Sequence, residues 1–204
     1  MKVVMRPVSV GLILGLLGLI FGIAWASYLA SNHDDIHRRL AESRRAAIEQ
    51  KFVLQSGGEA PAAHHSHGAQ RGAANGHGHS AAREGGLEVN AQEHDDPVME
   101  EAHERLTRGH LHAMGLGILA ISVSLVLGFI PAPHNLKTLA SACLGTGGIF
   151  YPLSWILMGL RTVTLGQEAA ARSVIPIAGL SMLLVVTGIV ITLVYLLRYA
   201  FKGE

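Results

Sequence analysis

Cysteine is almost missing from this chain, since Cys143 is the only one. One cysteine excludes an intramolecular disulfide, and no C-x-x-C redox, metal or haem-attachment motif is present. The sequence also has no phosphate-binding glycine loop, no G-x-S-x-G and no H-E-x-x-H, which argues against a nucleotide-dependent enzyme or a hydrolase. A formal net charge of +1 gives little attraction for phosphate backbones, so we expect no nucleic-acid partner.

Charge is absent from four long apolar runs. Residues 7–29, 109–131, 138–160 and 173–197 contain no Lys, Arg, Asp or Glu. A bilayer core of about 30 Å is crossed by about 20 helical residues, so each run is long enough to span it. The sequence therefore predicts an all-α fold, an integral membrane four-helix bundle with much of its surface in contact with lipid.

The first run has two interpretations. A basic head precedes it, and Ala24-Trp25-Ala26 has the small-x-small pattern of a signal-peptidase site. The run is long for a signal peptide, however, and its glycines suit close helix packing in lipid. They form two G-x-x-x-G repeats, Gly11 with Gly15 and Gly18 with Gly22. We favour a retained anchor, in which residues 1–29 form the first transmembrane helix.

Two signals conflict over the orientation. Lys2 and Arg6 before the first run, with Asp34 and Asp35 after it, favour a cytoplasmic N-terminus. Arginines flanking the long segment between the first two runs favour the opposite orientation, but loops beyond about 60 residues escape the positive-inside rule. We therefore expect a bacterial inner-membrane protein with both termini cytoplasmic and residues 30–108 extracytoplasmic.

The long segment between the first two runs divides into three parts. Residues 30–55 are polar helix formers and predict an extramembrane helical extension of the first span. Residues 56–96 are rich in Gly, Ala, His and Ser and predict a disordered linker. Residues 97–131 start at Pro97 and predict an extramembrane helix that runs into the second transmembrane helix. Two helices would thus extend beyond the bilayer, with a disordered His-rich loop at their tip.

The remaining boundaries follow from the apolar runs. Residues 138–160 are the predicted third transmembrane helix, residues 173–197 the fourth, and residues 198–204 a C-terminal tail. The connections 132–137 and 161–172 are short, so consecutive spans should be antiparallel neighbours.

Histidine is the unusual residue, with twelve in all. Neutral imidazole is a common ligand for Zn and Cu, and a flexible tract of histidines can capture such ions. The alternative is a low-complexity polar linker in which histidine is tolerated. The tract lies in the linker and contains His64, His65, His67, His77 and His79.

A second group of histidines is predicted from helix geometry. His33 and His37 share a helix face, as do Glu100 and His103. If the two helices rise antiparallel from the membrane boundary, these four side chains lie at similar heights and could hold a metal ion between them. The alternative is a solvated stalk with surface ion pairs of little energetic consequence.

The third group lies at the start of the second span, in His110, His112 and Met114. Ionisable residues at this depth suggest function, and His with thioether sulfur would suit copper. His110 or His112 could instead hold haem b, with a second ligand from His33, another subunit, or Met158 or Met182. The bland alternative is an interfacial position, where imidazole is tolerated at the level of the lipid headgroups.

The third span is dense in small residues, which suits close approach of another helix. Tyr151 and Trp155 follow near one end of this span, where they could form an aromatic belt or line a quinone pocket.

Three functional hypotheses remain. The first is a non-catalytic membrane protein that binds a transition metal, Cu or Zn, through extracytoplasmic histidines, for metal handling or sensing. The second is an accessory subunit of a respiratory or redox complex with haem or quinone near His110 and His112. The third is a structural assembly subunit without a cofactor. Beyond lipids, we expect other membrane subunits or a homo-oligomer as partners.

Overall fold

The computed structural model describes residues 5–56 and 96–201, and the described residues form five α-helices. The predicted linker 56–96 falls almost entirely outside them. A short 3-10 turn, Arg6–Val8, precedes the first helix. The helices are α1 Ser9–Ser31, α2 His33–Ser56, α3 Pro97–Phe129, α4 His134–Leu165 and α5 Gln167–Phe201.

Four of these helices are long and apolar enough to cross a membrane. They are α1 with its preceding turn, α3, α4 and α5. This confirms the predicted all-helical fold with four apolar spans. The exception is α2, which is predominantly polar and carries Asp34 and Asp35 in its first turn.

The helix α4 lies at the centre, because α1, α2, α3 and α5 all pack against it. Its small side chains permit this, since Gly145, Gly147 and Gly148 are all buried. A Cβ added at Gly147 would lie 2.5 Å from the backbone oxygen of Ser181 on α5. The two helix backbones therefore approach too closely for any larger residue at this position.

Glycines also bring α1 against α3. A Cβ at Gly117 would lie 2.8 Å from the backbone oxygen of Gly15 and 2.9 Å from the backbone nitrogen of Leu19. Gly11, Gly15, Gly18 and Gly22 of the two G-x-x-x-G repeats are all buried. The repeats thus form the α1 side of a tight interface with α3.

Two single residues separate successive helices. Asn32 leaves the helical conformation between α1 and α2, with φ −120° and ψ 26°, and both its backbone N–H and its side-chain Nδ2 donate to the Tyr28 oxygen at 3.0 Å. The predicted extension of the first span is therefore helical but interrupted. Gly166 separates α4 from α5 at φ 84°, a conformation that favours glycine. We expected a connection over residues 161–172, yet both helices continue until only Gly166 remains.

At one end of the bundle, α2 packs on α3 and α4 through a small apolar cluster. It includes Ile36 and Leu40 of α2, with Met99, Ala102 and Leu106 of α3. Next to it, the indole Nε1 of Trp25 donates to the Leu106 oxygen at 3.2 Å. We call this end of the molecule the neck; its buried residues are Leu29, Ile36, Leu40, Met99, Ala102, Leu106, Ile156 and Val163.

Candidate metal centre

Three histidines converge at the neck. His33 and His37 come from α2 and His103 from α3, and each offers a ring nitrogen within 4.8 Å of those of the other two. The ring centroids lie 4.5 Å apart for His33 and His37, 5.0 Å for His37 and His103, and 5.4 Å for His33 and His103. We call these residues the histidine trio. Among the residues that the structure describes, no other group of three His, Cys, Asp or Glu side chains meets this spacing.

The local sequence explains why the trio assembles. His33 and His37 are one helical turn apart, so they project from the same side of α2. Ile36 and Leu40 lie beside them on that helix and are buried in the neck cluster, which docks α2 against α3. Packing of these aliphatic side chains thus brings both imidazoles to His103.

The three imidazoles are suitable ligands for a divalent cation of borderline softness, such as Zn²⁺. Zn²⁺ sites with three protein ligands leave one coordination position open, and three histidines form one such set. Zn–N bonds of about 2.0–2.1 Å would require the three nitrogens to draw closer by side-chain rotation. His33 is exposed, while His37 and His103 are half-buried, so the trio is reachable from solvent on the His33 side.

Glu100 was predicted for this site together with the three histidines. Glu100 is exposed and does not belong to the trio. His64, His65, His67, His77 and His79 of the linker lie outside the described residues. His134 begins α4 at the opposite end of the bundle, where it is exposed.

The candidate group at the start of the second span diverges. The ring of His112 packs on α4, with centroids 5.1 Å from Tyr151 and 5.4 Å from Trp155, while Met114 lies against Gly22 of α1. His110 is half-buried, and its Nδ1 has no hydrogen-bond partner in the described part of the chain. His112 and Met114 thus face different neighbours and do not converge on one ion.

Arg105 is a structural residue that sequence reasoning missed. Its side chain is buried on α3, where Nε donates to Glu101 Oε1 at 2.7 Å. Its Nη1 donates to Thr162 Oγ1 at 2.9 Å and to the Gln167 oxygen at 3.3 Å. The guanidinium therefore ties α3 to the end of α4 and the start of α5. The i, i+4 spacing of Glu101 and Arg105 signals the ion pair, but only the fold supplies the other partners.

Electrostatics favour the neutral form of His103. Burial lowers the pKa of His103, and a charge on His33 lowers it further. His103 lies before residue 109, where the uncharged run of α3 begins, and is therefore outside the predicted membrane span. An imidazole that stays neutral keeps a lone pair for a metal ion, which a protonated ring lacks.

The shift of His103 predicts that the metal-free protein loses stability in mild acid. Its pKa is below 6.5 when folded and about 6.5 when unfolded, so the unfolded chain binds more protons between those two values. Above about pH 6.5 the titration of His103 does not reduce the free energy of unfolding. As the pH drops through that window, the free energy of unfolding falls. Unfolding of metal-free protein in detergent as a function of pH measures it. The variant His103→Gln should flatten the dependence, and an unchanged slope would contradict the assignment to His103.

Comparison with models of protein families, with curated proteins and with solved structures finds no match to this chain.

Proposed function

We propose that this protein is a non-catalytic integral membrane protein that binds a transition metal ion, for handling or sensing, at the histidine trio. The observation that carries the proposal is the convergence of three imidazoles from two helices that are distant in sequence. Imidazole nitrogen suits Zn²⁺ and Cu²⁺. The only cysteine, Cys143, is buried in α4 within the third apolar run, so a thiolate contributes nothing at the neck. The histidines of the linker would add weaker capture sites.

The test separates the trio from the linker. A tag-free variant with His64, His65, His67, His77 and His79 replaced by Ser is titrated with Zn²⁺ in detergent, with calorimetry and metal analysis as readouts. We expect one ion per chain. Changing His37 or His103 to Ala should weaken binding by more than the roughly 10–100-fold that loss of an outer-shell partner costs. His134→Ala, at the exposed end of α4, is the matched control. Unaltered affinity in the two trio variants would refute the proposal.

An absorbance spectrum of the same preparation distinguishes the alternatives. A subunit of a redox complex with haem near His110 or His112 would show a Soret band at about 410–430 nm. A structural assembly subunit would show neither this band nor a bound ion. The ring of His112 packs against Tyr151 and Trp155. This packing does not support a haem site shared by His110 and His112.

For the setting of the site, we propose that α2 and the first turns of α3 extend beyond the lipid of a bacterial inner membrane. Both termini would be cytoplasmic and the neck extracytoplasmic. The polarity of α2 supports the extension, and the apolar exposed faces of α1 and α5 fit lipid, other membrane subunits or a second copy. A cysteine at exposed Ser43, in a Cys143→Ser background, should react in intact spheroplasts with a reagent that cannot cross membranes. Reaction only after lysis would show that residue 43 lies on the cytoplasmic side, which contradicts the proposed orientation.

A further inference from the structure

We propose that a divalent ion at the histidine trio acts as a clamp that fixes α2 against α3, so that occupancy of the site is read out as the position of α2. This inference rests on the proposed function and adds its regulatory consequence. Three features of the neck carry it: a break before α2, a sparse interface beneath α2, and a firm anchor behind α3.

The break is Asn32. The residue leaves the helical conformation, and the hydrogen bonds that cross it are local. They are the hydrogen bonds from Asn32 to the Tyr28 oxygen at 3.0 Å and from the Ile36 N–H to the Asn32 oxygen at 2.9 Å. A single residue outside the helical region can absorb a change of direction between two helices.

The interface beneath α2 is small. Ile36 and Leu40 are the buried residues of α2 among those with described side chains, and both lie in its first two turns. Farther along, Arg44 pairs with Asp96 at 3.4 Å, with both side chains partly exposed. A contact as long as 3.4 Å between partly exposed groups is weak. The buried apolar contact of α2 is thus confined to Ile36 and Leu40 among the described side chains, with Ala41 partly buried beside them, and a metal bridge at the trio would add to it.

Arg105, two residues from His103 on α3, holds this helix in the bundle. Its bonds to Thr162 and Gln167 hold this part of α3 to α4 and α5. A bridge from His103 to His33 and His37 would thus connect α2, which is joined to α1 through Asn32, to a helix that is held in the bundle. The ion restrains α2, and the rest of the bundle stays in place. Because ligand binding shifts a conformational equilibrium only by its differential affinity, the clamp requires that the ion bind the docked arrangement better.

Spin labels test the clamp. In a Cys143→Ser background with the five linker histidines replaced by Ser, labels are placed at Ser43 of α2 and Ala169 of α5, both exposed and small. Their distance distribution is measured by pulsed dipolar spectroscopy in lipid nanodiscs, with and without Zn²⁺, which is diamagnetic. We expect Zn²⁺ to narrow the distribution to one population. The narrowing should be lost in His37→Ala and in His103→Ala and retained in His134→Ala.

The outcomes separate the two proposals. If Zn²⁺ binds with one ion per chain and the distribution does not change, the clamp is wrong and the metal site stands. If Zn²⁺ does not bind, both are wrong. If Zn²⁺ narrows the distribution equally in the trio variants, the ion acts elsewhere and the clamp is again wrong. Circular dichroism and elution volume of each variant confirm that it is folded.

Discussion

Replacing Arg105 by Met is expected to destabilise the protein by about 2 kcal/mol. The methionine keeps the unbranched apolar stem of the side chain but removes every hydrogen bond of the guanidinium. Glu101 then loses its ion-pair partner, and the Gln167 oxygen loses a donor. Removing one member of a buried pair costs more than the pair contributes, because the other charge stays desolvated. We place the effect below the range for fully buried pairs, since the Glu101 side chain is 28% exposed.

The measurement is unfolding in mixed micelles of mild detergent and dodecyl sulfate. Arg108→Met is the matched control, because Arg108 also pairs with a glutamate four residues earlier, Glu104, but both side chains are about half exposed. Exposed pairs of this kind contribute roughly 0.3–0.5 kcal/mol. Equal effects of the two substitutions would show that Arg105 does not tie the helices together.

Gly117→Ala is expected to cost about 1–3 kcal/mol by overpacking the interface between α1 and α3. The new methyl group would meet the backbone of Gly15 and Leu19 at 2.8 and 2.9 Å. Backbone atoms cannot rotate away as a side chain would, so the helices must separate. In lipid, where association depends on close packing, separation removes the contacts that hold the pair.

Gly115→Ala provides the control on the same helix. Nothing lies within 4 Å of a Cβ at that position, so the substitution adds no clash. Alanine is a better helix former than glycine, by roughly 1 kcal/mol in exposed helix interiors in water. We expect Gly115→Ala to be neutral or stabilising in the same unfolding assay. Loss of stability in both variants would point to a general effect of alanine in α3 and against the close approach.

The fold class was predictable because lipid imposes a simple requirement. Uncharged runs of about 20 residues have the length of a membrane-spanning helix, and a helix pairs its backbone polar groups within the segment. The sequence therefore located α1, α3, α4 and α5 without knowledge of their contacts. It did not locate the break at Asn32, because nothing in the composition of the flanking residues distinguishes an interrupted helix from a continuous one.

The candidate site was predictable in part. The spacing of His33 and His37, and their expected height relative to His103, needed only helix geometry. Whether Glu100 joins the trio depends on the rotation of α2 and α3 about their own axes. The packing of Ile36 and Leu40 in the neck sets this rotation, and helix geometry alone does not predict it. The same limit applies to His112, whose contacts with Tyr151 and Trp155 follow from the rotation of α3 against α4.

The central position of α4 has a consequence for biogenesis. Every other helix rests on α4, and α5 follows it after one residue, Gly166. When the first two spans leave the ribosome, their glycine-lined faces can meet, but the surface that completes their packing is still inside the exit tunnel. We therefore expect α4 and α5 to enter the bilayer as one hairpin, and the bundle to close only after α5 has been synthesised.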